Sequence, residues 1–290
     1  MATDGSQRAS KTLVSAARIL SPTERVVDVL YVIPKAPHHP SPPERILRRA
    51  HIILDRTKAL LAAEGVQADV VYRIGSPSQT IIGASHNYDV TVVAATSHRE
   101  GPMSGLGPVA SRVAEHASGA VLLAREGANE TGTRILVAID GSESSLHALD
   151  SIVQLLDLTE AEVTLLHIVE SPWLHPGPDQ EWLGYEEEEQ EQVDPQAQLR
   201  QTLLDEGENI LQLASRRLPA HVTVTTITRE GLPADEILSE AESGPYDLVV
   251  VGATGSADMK HKILGSVSSK VAWNATCSVL LTSTAGEAVS

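Results

Sequence analysis

The stretch Asp247–Gly265 has the sequence DLVVVGATGSADMKHKILG, and it matches DVTVVAATSHREGPMSGLG at Asp89–Gly107 without a gap. Both stretches begin with an apolar run rich in β-branched residues, which is typical of a buried strand. Both continue into a polar loop that ends at a glycine. The match indicates an internal repeat, and such a repeat determines the whole architecture.

The similarity extends in both directions from these two stretches. Asp4-Gly5-Ser6 recurs as Asp140-Gly141-Ser142, and each triplet precedes a helical pattern. VVDVLYVIP matches VTLLHIVES, and SGAVLLA at 118–124 matches CSVLLTS at 277–283. Because register is kept across five elements, we predict two tandem domains, residues 1–127 and 128–290, with a polar linker at 126–133.

Short β-branched runs alternate with amphipathic stretches in the second copy, which indicates βαβ units and a parallel sheet. Five near-continuous apolar strands predict an α/β fold, a doubly wound sheet covered by helices on both faces. The predicted strands are 134–139, 162–169, 221–228, 246–252 and 278–283. The predicted helices are 143–156, 197–216, 232–243 and 265–274.

The first copy begins almost at Asp4, so the strand equivalent to RILVAI before Asp140 is nearly absent. That strand should be central in the sheet, and its loss would expose backbone and apolar surface. We therefore expect a start site upstream or a segment cut from a longer polypeptide. A truncated first domain that leans on the second is the alternative.

Composition excludes several classes of protein. The chain has 290 residues, 42% of them apolar, which favours two globular domains. No apolar run approaches the roughly 18 residues of a membrane span, and the N-terminus lacks a signal peptide's apolar stretch. The sequence therefore predicts a cytoplasmic protein without direct membrane insertion. The single cysteine, Cys277, excludes an internal disulfide, and no Cys/His cluster has zinc-site spacing.

The net charge of -16 is distributed unevenly. Residues 1–128 hold 14 Lys and Arg against 11 Asp and Glu, whereas residues 129–290 hold 8 against 27. An acidic chain with only 3% aromatic residues has neither the charge nor the stacking surface to bind nucleic acid. The second copy also has an insertion at about 171–196 with the acidic run Glu186–Glu189, interpreted as a solvated loop or, alternatively, a lid or partner-binding segment.

The strongest local pattern follows the fourth strand of the second copy. Gly252-Ala-Thr-Gly255 is followed after nine residues by Gly265-Ser266, where a helix begins. Glycines let the backbone approach a phosphate, and free N–H groups at a helix start favour an anion. Cationic residues at 260–262 lie in the same loop. The alternative is that these glycines only turn the strand into a loop.

Asp140 ends one predicted strand and the glycine loop follows another, so both should face the crevice at the carboxyl edge of the sheet. Together with LLHIVE, Gly231-x-Pro233 and the G-x2-G-x9-G-S pattern at 252–266, they make the sequence similar to the universal stress protein family in its tandem form. The resemblance covers essentially the whole chain. It implies Rossmann-like domains similar to the adenine nucleotide alpha hydrolases, with the second domain like the ATP-binding branch.

The resemblance also implies a ligand, ATP or a related adenine nucleotide with Mg²⁺. Two residues would flank the adenine and ribose, namely Asp140 and Ile168. Four others would hold the phosphates, namely Gly252, Gly255, Gly265 and Ser266. Val137 and Ala138 fall near this pocket and are interpreted first as strand core.

The first copy departs from the pattern at three of the four phosphate positions. Ala94, Ser97 and Pro108 replace the first two glycines and the serine, and only Gly107 is kept. A proline at a helix start is structurally acceptable but removes an N–H group. We therefore predict one nucleotide per chain, with the first copy pairing with the second across the edge strands.

Other motifs carry less weight. Gly105–Ala110 fits G-x-G-x-x-A but lies well past its strand, and the chain has no Walker loop and no G-x-S-x-G elbow. His167 is interpreted as a satisfied strand histidine and Cys277 as buried and inert. No catalytic residue and no metal site is predicted.

The leading hypothesis is a tandem universal stress protein that acts as a nucleotide-dependent sensor or binding module. Two alternatives stay open. One is a regulatory domain pair of a transporter-like system without obligatory nucleotide, and the other is a slow ATP hydrolase. The sequence favours a role without catalysis, leaves the protein partner unknown and leaves pairing into a homodimer open.

Overall fold

The computed structural model describes seven stretches of the chain, which are residues 1–20, 26–35, 41–95, 105–127, 133–170, 195–253 and 264–283. Within them each copy supplies five strands and four helices in the same order. The strands are β1 (Ala2–Thr3), β2 (Val27–Pro34), β3 (Ala68–Gly75), β4 (Val90–Ala94), β5 (Ala120–Ala124), β6 (Arg134–Ala138), β7 (Glu162–Val169), β8 (Thr223–Glu230), β9 (Leu248–Gly252) and β10 (Ser278–Thr282). The helices are α1 (Gln7–Ile19), α2 (Glu44–Ala63), α3 (Pro77–Ser85), α4 (Pro108–His116), α5 (Glu143–Leu155), α6 (Pro195–Ser215), α7 (Pro233–Ser243) and α8 (Ser266–Asn274).

The second copy forms the predicted doubly wound sheet. Its strands are hydrogen-bonded in the order β8-β7-β6-β9-β10, and all of these neighbours are parallel. Each predicted strand and helix is present, with its ends within about two residues of the predicted ones, the usual uncertainty of element ends. The α/β fold predicted from the repeat is therefore confirmed.

The first copy differs from the predicted five-stranded sheet. Its first strand has two residues, as the sequence led us to expect, and Ala2 pairs with Leu30 while Thr3 pairs with Tyr31. This strand is hydrogen-bonded to β2 but not to β4, so β1, β2 and β3 form a separate three-stranded sheet. Two residues are too few to complete a ladder on both sides of the strand.

Strands β4 and β5 continue the sheet of the second copy instead. β5 pairs antiparallel with β10, and Leu122 lies opposite Leu280 at the centre of the pairing. The result is one seven-stranded sheet in the order β4-β5-β10-β9-β6-β7-β8. The predicted pairing of the copies across edge strands is thus confirmed. The observed strands align AVLLA at 120–124 with SVLLT at 278–282, which shifts the alignment predicted from the repeat by one residue.

Both faces of the seven-stranded sheet are buried, and each buried cluster contains residues from both copies. On one face Leu13 of α1 and Leu149 of α5 pack over Leu122 and Leu280. On the other face the partners come from α3, α4, α7 and α8. Helix α2 covers the three-stranded sheet. Among the described residues, no helix is long and apolar enough to cross a membrane.

One polar side chain joins the copies at the end of β5. The Arg125 guanidinium donates to the carbonyl of Cys277 at 3.0 Å and to the carbonyl of Ala272, near the end of α8, at 2.9 Å. Its backbone N–H donates to the Ser278 hydroxyl at 3.0 Å. A cation at a helix C-terminus is favoured by the helix dipole. Cys277 is half-buried rather than buried as predicted, and this burial raises the pKa of its thiol.

Replacing Arg125 with alanine is expected to lower the free energy of unfolding by about 2 kcal/mol, the usual range for hydrogen bonds made by a charged group. Two carbonyl oxygens of the second copy would lose their donor. Urea denaturation followed by circular dichroism measures the change. The matched control is Arg45→Ala on the exposed side of α2, expected to change stability by less than about 0.5 kcal/mol. Equal effects of the two substitutions would contradict this role of Arg125.

Candidate functional site

The carboxyl ends of β6, β7 and β9 meet at one edge of the sheet. Val137 of β6 pairs with both Leu165 of β7 and Val250 of β9. Just beyond β6, the backbone N–H of Ile139 donates to the carbonyl of Leu166 at 2.9 Å. The chain then leaves the sheet at Asp140. In parallel sheets this edge is where ligands bind.

Asp140 begins a tight turn that leads into α5. Its Oδ1 accepts a hydrogen bond from the backbone N–H of Ser142 at 2.9 Å. Gly141 has φ +81°, a left-handed conformation that favours glycine, and Ile210 of α6 packs against it. The Ser142 hydroxyl caps the helix by accepting from the backbone N–H of Ser145 at 3.2 Å. The turn therefore holds the Asp140 carboxylate at the helix start.

The Asp140 carboxyl is stabilised in its charged form. Partial burial raises its pKa, but hydrogen bonds from the Ser142 and Ser145 hydroxyls and from the Ser142 N–H lower it by more. The pKa therefore lies below the usual value for aspartate. The group is an anion at neutral pH, which suits an acceptor for hydroxyl groups of a ligand and opposes direct contact with a phosphate.

The backbone of Ala253, just after β9, is hydrogen-bonded both to β10 and to the start of α8. The N–H of Ala253 donates to the Thr282 carbonyl at 2.7 Å, which extends the ladder with β10. The Ala253 carbonyl accepts the N–H of Gly265 at 2.8 Å and the Ser268 hydroxyl at 2.9 Å. These bonds hold the start of α8 against the end of β9.

Helix α8 presents its first N–H groups at this edge. Its N-cap is Gly265, with φ -61° and ψ 161°, and no side chain in the described stretches caps the helix. Ser266 at the first helical position is exposed. The N–H groups of a first turn have no partner within the helix and carry a partial positive charge. This geometry can accept an anion.

Gly252 connects the two halves of the site. A Cβ atom placed on it would lie 2.4 Å from the Ser144 Oγ and 3.1 Å from the Ser144 backbone carbonyl atoms. The end of β9 thus touches the first turn of α5 directly. The Ser144 and Thr282 hydroxyl oxygens are buried without a hydrogen-bond partner in the described part of the chain. An unpaired buried hydroxyl costs about 1–3 kcal/mol.

On the far side of the site, Ile168 is half-buried near the end of β7. The preceding residue, His167, faces α6, where Gly207 lets the helix pack against the ring. The His167 Nδ1 lies 2.8 Å from the Ile139 carbonyl, which can only accept, so this nitrogen carries the proton. His167 is therefore a satisfied, buried histidine, as the sequence predicted.

The structure brings together four of the six predicted ligand residues and places a fifth nearby. Asp140, Gly252, Gly265 and Ser266 lie along one continuous line of contacts, and Ile168 lies one strand away. Gly255, the cations at 260–262 and the insertion at 171–194 lie outside the described residues. Val137 is fully buried, which agrees with its assignment as strand core.

Sequence reasoning missed Ser144 and Thr282. Ser144 is one of three serines within four residues, and nothing in the local pattern shows which of them faces β9. Thr282 stands at the end of an apolar strand, where threonine is unremarkable. Both become visible only once the helix is packed on the sheet.

The first copy keeps the backbone of this site. The Ser6 N–H donates to the Asp4 Oδ1 at 2.9 Å, and the Gly107 N–H donates to the Ala95 carbonyl at 2.8 Å. Helix α4 begins after Gly107 with φ -65° and ψ 156°, close to the values at the start of α8. The copies therefore differ at this edge in side chains, among them Pro108, rather than in backbone path.

Because the pKa of Asp140 is lowered in the folded state, its charged form contributes stability above the pKa of the unfolded chain, and that contribution is lost as pH falls through the folded pKa. We expect Asp140→Asn to lower the free energy of unfolding at pH 7 by only a few tenths of a kcal/mol, since the group is exposed and screened.

The difference between wild type and Asp140→Asn should shrink as the pH is lowered from 7 through the folded pKa of Asp140, which lies below the usual value for aspartate, as followed by urea denaturation at a series of pH values. Asp4→Asn is the matched control in the first copy, where Ala9 stands at the position of Ser145 and has no hydroxyl. A difference between wild type and Asp140→Asn that grows toward low pH would contradict the assignment.

Comparison with known proteins gives a consistent result. The family model "Universal stress protein family" matches twice, at residues 1–125 and 132–283. The universal stress protein YxiE of Bacillus subtilis is 35% identical over 149 residues, which cover 51% of this chain and 97% of that protein. The universal stress protein MJ0531 of Methanocaldococcus jannaschii is 29% identical over 150 residues, 51% of this chain and 80% of that protein.

Among solved structures, a universal stress protein from Archaeoglobus fulgidus superimposes with a TM-score of 0.66 at 20% identity and covers 97% of this chain and 96% of that chain. This likeness concerns the fold and extends over both copies. The two family matches account for most of the sequence and coincide with the two structural copies. The chain therefore belongs to the universal stress protein family, in a tandem form with two family domains.

Proposed function

We propose that the second copy binds ATP or a related adenine nucleotide as its Mg²⁺ complex. One observation carries the proposal: α8 begins at the carboxyl edge of the sheet with uncapped N–H groups, held against β9 by the hydrogen bond from Gly265 to Ala253. A helix start of this kind favours a phosphate. The resemblance to the ATP-binding branch of the family supports the same choice.

The residues divide by their chemistry. Gly265 and Ser266 offer N–H groups and a hydroxyl to phosphate oxygens, and Gly252 lets the end of β9 pack directly on α5. Asp140, an anion at neutral pH, suits the hydroxyls of a ribose. Ile168 supplies apolar surface for the base. Gly255 is assigned to the phosphates on its sequence position alone.

We assign the nucleotide to the second copy alone, with the domain boundary at residues 127/128. In the first copy Pro108 lacks the N–H and hydroxyl that Ser266 offers, and Ala94 replaces Gly252. The first copy then has a structural role through β5. With one nucleotide per chain, the protein acts as a sensor or binding module whose state a protein partner recognises.

Calorimetric titration of the nucleotide-stripped chain with Mg-ATP tests this assignment. We expect about one site per chain, because only the second copy keeps the complete set of phosphate ligands. Gly255→Asp is expected to abolish binding, since it places an anion where phosphate would lie. Ser97→Asp, the matched change in the first copy, should leave binding unchanged.

No detectable heat up to millimolar Mg-ATP would refute nucleotide binding and favour a regulatory domain pair without obligatory nucleotide. Two sites per chain would refute the assignment to one copy. Phosphate release from the same samples separates binding from hydrolysis. Sustained release that disappears in Gly255→Asp would support the slow hydrolase instead of the sensor.

A second test transfers one residue between the copies. Ser266→Pro removes an N–H group and a hydroxyl from the start of α8, while the backbone at Gly107 and Pro108 shows that proline fits this position. We expect Mg-ATP affinity to fall by about tenfold or more, equivalent to about 1.4 kcal/mol, with little change in melting temperature. The reverse change Pro108→Ser should leave the stoichiometry at one. Unchanged affinity of Ser266→Pro would contradict phosphate binding at this helix start.

A further inference from the structure

The contact between β9 and α5 is unusually close at one point. A Cβ on Gly252 would lie 2.4 Å from the Ser144 Oγ and 3.1 Å from the Ser144 carbonyl carbon and oxygen. A real Cβ does not approach another atom to 2.4 Å, so the Ser144 hydroxyl would have to move, and at 3.1 Å the helix backbone would have to yield by a few tenths of an ångström. A side chain at position 252 therefore displaces the first turn of α5 while Ser144 keeps its hydroxyl.

This glycine is explained by packing rather than by backbone conformation. The described glycines with positive φ do not include Gly252, so another residue could adopt its dihedral angles. What excludes a side chain is the first turn of α5, which carries Asp140 at its start. The separation between the first turn of α5 and the end of β9 is therefore set by the pair Ser144 and Gly252.

The close contact is kept although it leaves polar atoms unsatisfied. Ser144 is 8% exposed and Thr282 is 1% exposed, and neither hydroxyl has a hydrogen-bond partner in the part of the chain that the structure describes. Thr282 is the ladder partner of Gly252 in β10, so its side chain faces the same side of the sheet. Both unpaired hydroxyls thus flank Gly252. Unsatisfied buried polar groups in a native protein call for a functional or structural reason.

The first copy provides an internal comparison. When the two Asp-Gly-Ser turns are aligned, Arg8 of the first copy stands at the position of Ser144. Arg8 is exposed, whereas Ser144 is buried. Strand bounds match Ala94 with Gly252 and Ala124 with Thr282. The turn and the loop-closing hydrogen bond are the same in both copies. The pairing of a serine on the helix with a glycine on the strand is therefore found only in the copy with the complete phosphate pattern.

We infer that Ser144 is a positioning residue of the nucleotide site. By packing on Gly252 with no side chain between them, it fixes how closely the first turn of α5 approaches the end of β9 where phosphate is proposed to bind. This inference rests on the proposed function. It assigns Gly252 a role in spacing the two halves of the site, beyond any contact of its own with phosphate.

A double-mutant cycle on the full chain tests the inference, with Mg-ATP affinity and melting temperature measured for wild type, Ser144→Ala, Gly252→Ala and the double variant. Gly252→Ala is expected to weaken Mg-ATP binding by about tenfold or more, because its methyl group pushes α5 outward. Ser144→Ala removes the closest atom and lets the start of α5 move toward β9, so it is also expected to weaken binding, by about threefold.

The double variant should recover to within about threefold of wild-type affinity, since the added methyl group then occupies the space that the hydroxyl leaves. Gly83→Ala in α3 is the matched control, because a Cβ there meets nothing within 4 Å. It should leave affinity unchanged while raising the melting temperature through its better helix propensity.

Additive losses in the cycle would overturn the inference, since Gly252 would then act only through its own contact with the ligand. If Gly252→Ala does not fold, Ser144→Thr replaces it in the test, because it adds a methyl group to the helix side of the same contact. This variant is expected to weaken Mg-ATP binding by about tenfold. Unchanged affinity in that variant would also overturn it. Failure of the wild type to bind Mg-ATP would refute the proposed function and this inference together, a result distinct from additive losses.

Discussion

The antiparallel pairing of β5 with β10 is the contact on which the rest of the structure depends. It joins two strands from the first copy to five from the second and makes a single seven-stranded sheet. The buried clusters on both faces cross this junction, so neither copy has an apolar core of its own on this sheet. In the first copy β1, β2 and β3 form a separate sheet, so β4 and β5 depend on the pairing with β10 for their place in a larger one.

The shared sheet also explains how two copies with the same backbone features can carry different side chains at the carboxyl ends of their strands. Both copies keep the Asp-Gly-Ser turn and the hydrogen bond that closes the loop after the fourth strand, which are backbone features. The differences are confined to a few side chains, such as Pro108 for Ser266 and Ala94 for Gly252. Ligand chemistry can therefore change in one copy without disturbing the sheet that both copies share.

Much of this architecture could be predicted from the sequence, because the repeat, the β-branched runs and the helix starts all agree. The strand Thr223–Glu230 and the helix Pro195–Ser215 begin within two residues of the predicted positions. The divided sheet of the first copy could not be predicted, since it depends on which hydrogen bonds two residues can reach. Ser144 was missed for a similar reason, because the rotation of α5 against β9 decides which serine faces Gly252.

Arg125 was missed because its partners, the carbonyls of Cys277 and Ala272, belong to the other copy. Sequence periodicity identifies elements and their faces, but it does not place an arginine at the end of a distant helix. The helix start at Gly265 and Ser266 could be predicted, since the glycine pattern and the helix follow one another along the chain, and phosphate binding there stays a prediction. Local constraints were thus predictable, and contacts between distant segments were not.

Because β5 and β10 belong to one polypeptide, their pairing does not depend on protein concentration. A tether of this kind gives the two partners an effective concentration on the order of millimolar for a short flexible connection. Two separate chains joined by the same five-residue strands would come apart on dilution, and each would have to keep its own intact edge. Covalent linkage removes that requirement and leaves the ligand-facing positions of the first copy free to diverge.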